Sequence, residues 1–187
     1  MSPLLDRLVK HLAPAPAPAK SEMRCAAVAC VLDDEPAGPR VLLMKRAERA
    51  NDPWSGHISL PGGGYQAGED ADLLATAIRE TREELGVELT GARMLGNLAA
   101  LHPRTSGPAG IEVTPFVFHT TMALEPVCGP EALAAFWLPL DLAASGAIDS
   151  TFEYPAASMK FPAWTYEGHV IWGLTWRILG DLLKVGS

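Results

Sequence analysis

Hydrophobic and polar positions in the first half of the chain predict two strands, a loop and a helix. Apolar runs at residues 25–32 and 41–44 have the length of β-strands, and the Pro- and Gly-containing segment 33–40 between them predicts a turn. Residues 51–64 contain two prolines and four glycines, which predicts a loop. Apolar residues recur every three or four positions over residues 73–86, so a helix is expected there, ending at its final glycine.

The second half of the chain mixes the same two kinds of pattern. Strands are predicted at residues 94–101, 111–119 and 135–138, with a weaker strand at 161–166. Residues 170–185 are apolar on almost every side, which predicts a helix buried in a core or in an interface. Strands that surround a central helix, with a second helix at the end, predict an α/β fold of the α+β type, in which helices pack on a mixed sheet.

The first 20 residues differ from the rest. Leu5 and Leu8 fall at helical spacing and predict a short amphipathic helix. Prolines alternate with alanines over residues 13–19, which rules out helix and favours an extended polyproline II arm. We therefore expect a helix with a Pro/Ala-rich arm over residues 1–20 and one domain over residues 21–187.

Composition and charge narrow the classes of function. Of 187 residues, 15 are Lys or Arg and 22 are Asp or Glu, so the formal net charge is 15 − 22 = −7. This balance argues against a nucleic-acid binder but not against a phosphate-bearing substrate, because bound divalent cations supply positive charge. No apolar run approaches the ~20 residues of a membrane span, and none resembles a signal segment. The three cysteines are too sparse for a disulfide framework and are expected to be buried thiols. We expect a cytoplasmic protein with no membrane partner.

The helix predicted at residues 73–85 carries a group of acidic side chains. Glu80 lies three residues before Glu83 and four before Glu84, which places all three on one side of the helix. Like charges at these spacings destabilise a helix by roughly 0.2–0.5 kcal/mol per pair. The group is therefore either a solvated face, offset by neighbouring arginines, or a binding surface. The opposite, inward side is predicted to consist of Leu74, Ile78, Thr81 and Leu85.

A Leu-Pro-Gly-Gly-Gly turn at residues 60–64 precedes this helix. Glycine lets backbone groups approach a ligand closely, and a glycine turn beside three carboxylates is more specific than either feature alone. Hard oxygen ligands at this density suit Mg²⁺ or Mn²⁺ bound together with substrate phosphates. Such metals polarise a phosphoryl oxygen and lower the pKa of an attacking water.

These residues resemble the Nudix box, the signature of the Nudix hydrolases. Its specific half is Arg-Glu-x-x-Glu-Glu-x-Gly, which here spans residues 79–86. The family pattern places seven residues between an earlier Glu and the Arg, whereas nine separate Glu69 from Arg79, so Asp70 is an alternative to Glu69. Thr81 stands where the family usually has an aliphatic residue.

Flanking segments narrow the resemblance to the coenzyme A pyrophosphatase branch. Residues 42–47 and 56–63 are similar to the motif that precedes the box in that branch, and residues 74–80 and 171–175 also look like it. The second Arg of the preceding motif has no match at its spacing, where Asn51 stands.

The resemblance implies a Nudix-type α/β/α sandwich and attack of water on a diphosphate, here that of coenzyme A or a derivative, giving 3′,5′-ADP and 4′-phosphopantetheine. By position, it implies that the catalytic ligands for Mg²⁺ or Mn²⁺ are Glu80, Glu83 and Glu84, with the carbonyl of Gly62 as a further ligand. The general base is one of these glutamates or a loop carboxylate such as Glu112.

Further residues are candidates for contacts to a small-molecule nucleotide substrate. Arg46 would make charge-assisted bonds to phosphate, and Trp54 is the tryptophan placed for stacking on a base. The remaining candidates are Gly63 and His57 in the glycine-rich loop and Arg104 in a Pro/Gly-rich loop.

Several alternatives stay open at this point. The same chemistry suits another nucleoside diphosphate derivative, such as ADP-ribose, a nucleotide sugar or a dinucleoside polyphosphate, or a nucleoside triphosphate. A non-catalytic nucleotide-binding Nudix module is a further alternative, although such a module has no need to retain all three helical glutamates. The apolar last helix is compatible with a homodimer as well as with a core position.

Overall fold

A computed structural model of the chain describes residues 2–12, 23–50, 54–103, 110–154 and 159–185. The helices in these ranges are α1 (Pro3–His11), α2 (Leu73–Leu85), α3 (Leu140–Ala144) and α4 (Gly173–Leu183). The strands are β1 (Cys25–Glu35), β2 (Gly38–Arg46), β3 (Ile58–Ser59), β4 (Gly62–Gly64), β5 (Arg93–Asn97), β6 (Glu112–Thr120), β7 (Ala132–Pro139), β8 (Asp149–Tyr154), β9 (Met159–Tyr166) and β10 (His169–Trp172).

A mixed sheet forms the centre of the fold. Its path within the described ranges runs β3-β2-β1-β6-β5, with β4 paired to β1 and β7 paired to β2. Strands β1 and β6 are parallel, and Cys25 lies opposite Glu112 in their register. The other strand pairs of this sheet are antiparallel. The mixed sheet predicted from the sequence is therefore confirmed.

Helices cover both faces of this sheet. Helix α2 packs on one face, where Leu73 and Leu85 join a core with Phe116. Helices α1, α3 and α4 share the core on the other face, to which α1 contributes Leu5 and α4 contributes Ile178. This arrangement is the predicted α/β/α sandwich, because alternate residues of each strand point to opposite helical layers.

Helix α1 is part of the packed structure. Ser2 caps it by accepting the Leu5 N–H at 3.3 Å, and Leu5 and Leu8 are fully buried in the α4-side core. The predicted helix is confirmed, but the division at residue 20 separates this helix from a core that it helps to form. The predicted Pro/Ala-rich arm at residues 13–19 lies outside the described residues.

Several other sequence predictions need correction. The segment 51–64 was predicted to be a loop, but it contains β3 and β4, which add to the sheet by backbone pairing that needs no apolar pattern. The helix predicted at 170–185 begins only at Gly173, because the first residues pair with β9 as β10. Strand β8 was not predicted. Cys25 and Cys30 are buried as expected, whereas Cys128 is exposed.

A second sheet, in the order β10-β9-β8, lies beside the α4-side core. Trp164 and Ile171 join that core, and Thr175 on α4 donates a hydrogen bond to the carbonyl of Ile58 on β3 at 3.2 Å. These contacts anchor the small sheet next to the edge of the main sheet. No helix in the described part of the chain is long and apolar enough to cross a membrane.

Candidate active site

Helix α2 positions the acidic side chains of the site. The helix begins after Asp72, whose carboxylate accepts the Ala75 N–H at 2.8 Å, and it ends at Gly86, which adopts a left-handed conformation with φ 62°. The predicted helix is thus confirmed at both ends. Its inward side is displaced from the prediction, however, and its buried residues are Leu73, Thr76, Ala77, Thr81, Glu84 and Leu85.

The three glutamates of α2 occupy different environments. The side chain of Glu83 is 50% exposed and that of Glu80 is 13% exposed, whereas Glu84 is only 2% exposed. Glu84 Oε2 accepts the backbone N–H of Gly62 at 2.8 Å. The three glutamates therefore differ in exposure although the sequence placed them on one side of the helix, because Glu84 lies at the boundary between this side and β4.

A cavity of about 420 Å³ opens between α2, β4 and the segment that precedes β7. It is lined by Arg46, Gly62, Gly63, Gly64, Gln66, Glu80, Glu83, Glu84, Pro130 and Glu131. The walls are thus formed by carboxylates, glycine backbone, one guanidinium, one amide and one proline. Such a lining suits phosphate groups and cations rather than an apolar ligand.

Gly63 permits the close approach of α2 to β4. A Cβ atom at this position would lie 2.5 Å from Oε1 and Cδ of Glu80. Gly63 pairs with Ala27 of β1, so the strand cannot move away without breaking the sheet. Any side chain at residue 63 would therefore displace the Glu80 carboxylate from the cavity wall.

Arg79 ties the acidic residues together. Its Nε and Nη2 atoms donate to the two carboxylate oxygens of Asp70 at 2.8 and 2.9 Å, and Nη1 donates to Glu80 at 2.8 Å and to Glu83 at 3.1 Å. Nη2 also donates to the carbonyl of Gly64 at 3.2 Å. One guanidinium thus joins the turn before the helix, the glycine strand and the helix face.

In the turn before the helix, Asp70 rather than Glu69 is the acidic partner of Arg79. The Asp70 side chain is 1% exposed and accepts further hydrogen bonds from the Gln66 N–H and the Thr76 hydroxyl, both at 2.9 Å. The hydrogen bonds from Arg79 lower the pKa of Asp70 to about 2, against an opposing effect of burial. Glu69 is exposed.

Burial raises the pKa values of two cavity glutamates. Desolvation raises the pKa of Glu84 to about 8, although the hydrogen bond from Gly62 and the charge of Arg46 act in the opposite direction. Desolvation also raises the pKa of Glu80, where the hydrogen bond from Arg79 opposes it. The negative charge of Glu131 contributes to both increases.

The other candidates from the sequence are divided between the cavity and its surroundings. Arg46 lines the cavity together with Gly62 and Gly63, whereas His57 lies outside it, 5.2 Å from Trp172 between ring centroids. Glu112 is also outside the lining, and its carboxylate lies 3.1 Å from Nε2 of His102. Arg104 lies outside the described residues.

Glu131 is a cavity residue that the sequence analysis missed. It follows a segment in which Val127 and Gly129 donate backbone hydrogen bonds to the carbonyls of Leu85 and Glu84, both at 2.8 Å. These bonds hold the segment at the end of α2 and place Glu131 across the cavity from the helix. No sequence pattern marks this residue, because its proximity depends entirely on tertiary pairing.

The kinds of ligand atoms that line the cavity determine which metal ions it suits. Carboxylate and backbone oxygens, with no thiol or imidazole in the lining, match the preference of Mg²⁺ and Mn²⁺, and the Gly63 position leaves room for the Glu80 carboxylate. No three His, Cys, Asp or Glu side chains within the described ranges are already arranged to hold a metal ion. Glu80 and Glu83 are instead bound to Arg79.

Comparisons with known proteins bear on the family of this chain. A family model described as the NUDIX domain matches residues 23–156. A Photorhabdus laumondii protein, named as the uncharacterized Nudix hydrolase NudL, is 31% identical over 98% of this chain and 96% of its own length. A Yersinia pestis protein of the same name is 31% identical over 78% of this chain and 72% of its own length.

Solved structures also share the fold. A MutT/nudix family protein from Enterococcus faecalis matches with a TM-score of 0.57 and 15% identity, over 91% of this chain and 63% of that protein. An Ap4A hydrolase of C. elegans, solved as a binary complex, matches with a TM-score of 0.54 and 21% identity, over 65% of this chain and 84% of that protein. At these identities the two structures support the fold alone.

The pair between Asp70 and Arg79 predicts a difference between neighbouring acidic residues. Asp70→Asn should lower the free energy of unfolding by on the order of 3 kcal/mol, because it leaves Arg79 without its main buried partner. Glu69→Gln is the control and should change it by less than about 0.5 kcal/mol. Urea unfolding at pH 7 measures both changes, and equal effects would contradict the assignment of Asp70.

The pair between Asp70 and Arg79 also predicts that the free energy of unfolding depends on pH in the acid range. Since the pKa of Asp70 is about 2 in the folded chain and ordinarily 3.8, its contribution is present above pH 4 and is lost as the pH falls to 2. The stability difference between wild type and Asp70→Asn should therefore shrink over that interval.

Glu84 predicts a pH dependence of the opposite kind for the metal-free protein. Its pKa is ordinarily 4.5 and about 8 in the folded chain, so ionisation favours the unfolded chain increasingly as the pH rises from 4.5 to 8. Glu84→Gln cannot ionise, and its melting temperature should exceed that of wild type by a margin that grows over this interval. The exposed Glu88→Gln is the control. Thermal unfolding in EDTA measures the margin, and a margin independent of pH would contradict the assignment.

Proposed function

This chain belongs to the Nudix family, and on that premise we propose that it cleaves the diphosphate of coenzyme A or a derivative to 3′,5′-ADP and 4′-phosphopantetheine. Family membership makes the chain a hydrolase that acts on nucleoside diphosphate derivatives. The choice of coenzyme A within that class is our proposal.

The observation that carries this proposal is the cavity itself. Two segments resemble the coenzyme A motif, and they supply Arg46 at the end of β2 and Gly62 and Gly63 in β4. The residues from both segments line the same cavity as the glutamates of the Nudix box, although the segments and the box are separate in the sequence. This shared lining supports a single bound group that would contact both the motif and the box.

Arg49 supports the same choice. The second Arg of the coenzyme A motif is absent at residue 51, but the Arg49 guanidinium lies 3.2 Å from the Glu131 carboxylate at the cavity. A second cation is thus available beside the cavity although its position in the sequence is displaced. Its half-exposed side chain can exchange the carboxylate for a substrate phosphate at little cost, because exposed ion pairs contribute only about 0–1 kcal/mol.

We assign Glu80, Glu83, Glu84 and the carbonyl of Gly62 as the groups that would hold Mg²⁺ or Mn²⁺. When bound, these ions polarise phosphoryl oxygens and lower the pKa of a bound water. The chain's own residues would bind the substrate phosphate, orient the glutamates and accept the proton of the attacking water.

Arg46 binds a phosphate oxygen of the diphosphate by a charge-assisted hydrogen bond. Arg79 orients Glu80 and Glu83 through hydrogen bonds of 2.8 and 3.1 Å. Glu131 is our candidate to accept the proton of the attacking water in place of Glu112, because Glu131 lines the cavity and Glu112 does not.

A substrate panel tests the proposed specificity. With Mn²⁺ or Mg²⁺, kcat/KM should be highest for coenzyme A or an acyl derivative, and chromatography should show 3′,5′-ADP and 4′-phosphopantetheine as products. ADP-ribose, nucleotide sugars, dinucleoside polyphosphates and nucleoside triphosphates are the comparison substrates. A higher kcat/KM for any of these would overturn coenzyme A as the substrate and leave Nudix hydrolysis in place.

Substitution of Glu83 tests the metal assignment. Glu83→Gln should lower kcat by about 100-fold or more, because a lost metal ligand removes several kcal/mol of transition-state stabilisation. Glu88→Gln, an exposed residue beyond the end of α2, should leave kcat unchanged. Near-full activity of Glu83→Gln at saturating metal would refute the assignment of this residue as a ligand.

A further inference from the structure

The small sheet β8–β10 has two faces with different surroundings. Trp164 and Ile171 point to the α4-side core. Because side chains alternate along a strand, Phe161, three residues before Trp164, and Trp172, next to Ile171, point to the opposite face. Phe152 points there too, because it lies opposite Phe161 in the register. The aromatic residues on this face are only partly buried.

The rings on this face form a continuous aromatic surface around Trp172. Phe152 stacks on Trp172 with ring centroids 4.1 Å apart and an interplanar angle of 26°. Phe161 lies 5.7 Å and Tyr154 lies 5.8 Å from Trp172 between ring centroids. His57 stands with its edge toward Trp172 at 5.2 Å. We call these five residues the aromatic surface.

Backbone contacts connect the aromatic surface to the active-site cavity. Arg46, which lines the cavity, donates its backbone N–H to the carbonyl of His57 at 2.9 Å. Adjacent to this bond, Lys45 of β2 lies opposite Ile58 of β3. Arg46 and His57 therefore lie opposite each other on adjacent segments, so the aromatic surface begins beside a residue of the cavity wall. Trp54, which is 37% exposed, extends the surface by a ring contact to His57 at 6.0 Å.

The cavity lining itself offers no surface for a nucleobase. None of the described residues that line it carries an aromatic ring, and most are charged or glycine. A flat base stacks favourably on aromatic rings, so the aromatic surface suits it better than the cavity does. The pantetheine arm is flexible and carries no aromatic ring, so it would lose more conformational entropy than a rigid base on binding there.

We propose that the aromatic surface binds the nucleobase of the substrate while the diphosphate occupies the cavity. The proposal rests on the proposed function for the presence of a nucleoside. It does not depend on coenzyme A being the nucleoside derivative that is hydrolysed.

Ligand binding in the absence of metal tests the aromatic surface separately from catalysis. Calorimetric titration with 3′,5′-ADP should show the dissociation constant rising about 10-fold in both Trp172→Leu and Phe152→Leu, as expected for loss of base stacking. Trp172→Phe keeps a ring and should recover most of the affinity. Tyr166→Leu removes an aromatic residue from the opposite face of β9 and should leave the affinity unchanged.

Two further ligands show which part of the nucleotide contacts the surface. Ribose 5-phosphate lacks a base, and its affinity should be the same in all these variants. Unchanged affinity for 3′,5′-ADP in both Leu variants, or weakened binding of 4′-phosphopantetheine instead, would overturn the proposal. The proposal would also be overturned if the wild-type protein bound neither 3′,5′-ADP nor AMP.

Kinetics separate this proposal from the proposed function. Among substrates that the wild-type protein hydrolyses, Trp172→Leu should raise KM about 10-fold and leave kcat within about twofold. If coenzyme A is not hydrolysed but the variants bind 3′,5′-ADP more weakly, the aromatic surface stands and the substrate assignment fails. If coenzyme A is hydrolysed with the same KM by all variants, the aromatic surface fails and the substrate assignment stands.

Discussion

The guanidinium of Arg79 is the contact on which the rest of the site depends. It is only 11% exposed, and it binds Asp70 before the helix, the Gly64 carbonyl in β4, and Glu80 and Glu83 on the helix itself. A buried guanidinium must satisfy its donors, so this single side chain brings three segments into contact. The glutamates can lie close together because their repulsion is offset at the same point.

The arrangement also carries an energetic conflict. Glu84 is buried beside Gly62 with a raised pKa, and it lies in a cavity that already contains Glu80 and Glu131. A chain selected only for stability would place a neutral residue here, because a buried carboxylate is costly. Such destabilising groups are typical of functional sites, and cations in the cavity would relieve the repulsion. The net charge of −7 therefore describes the metal-free protein and says little about what the loaded site attracts.

Helix α2 could be predicted from the sequence because its start and end depend on local interactions. The helix over residues 73–85 has periodic apolar positions, an Asp cap and a Gly stop, and both ends were predicted correctly. Strands β3 and β4 were missed because they pair through backbone atoms of a Gly- and Pro-rich segment. The start of the last helix was misplaced because an apolar run is compatible with a buried helix as well as with a strand, and pairing with β9 made Ile171 and Trp172 part of a strand.

The sequence by itself identified the family, because three glutamates follow a glycine turn at helical spacing and in the order of the Nudix box. Only the tertiary structure decided which carboxylates share the cavity. Asp70 rather than Glu69 binds Arg79, and Glu84 is buried. Glu131 lines the cavity although it lies more than 40 residues after the helix in the sequence. The reason is physical: helical spacing fixes the neighbours of a residue within its own turn, whereas burial and long-range pairing depend on which segments the sheet brings together.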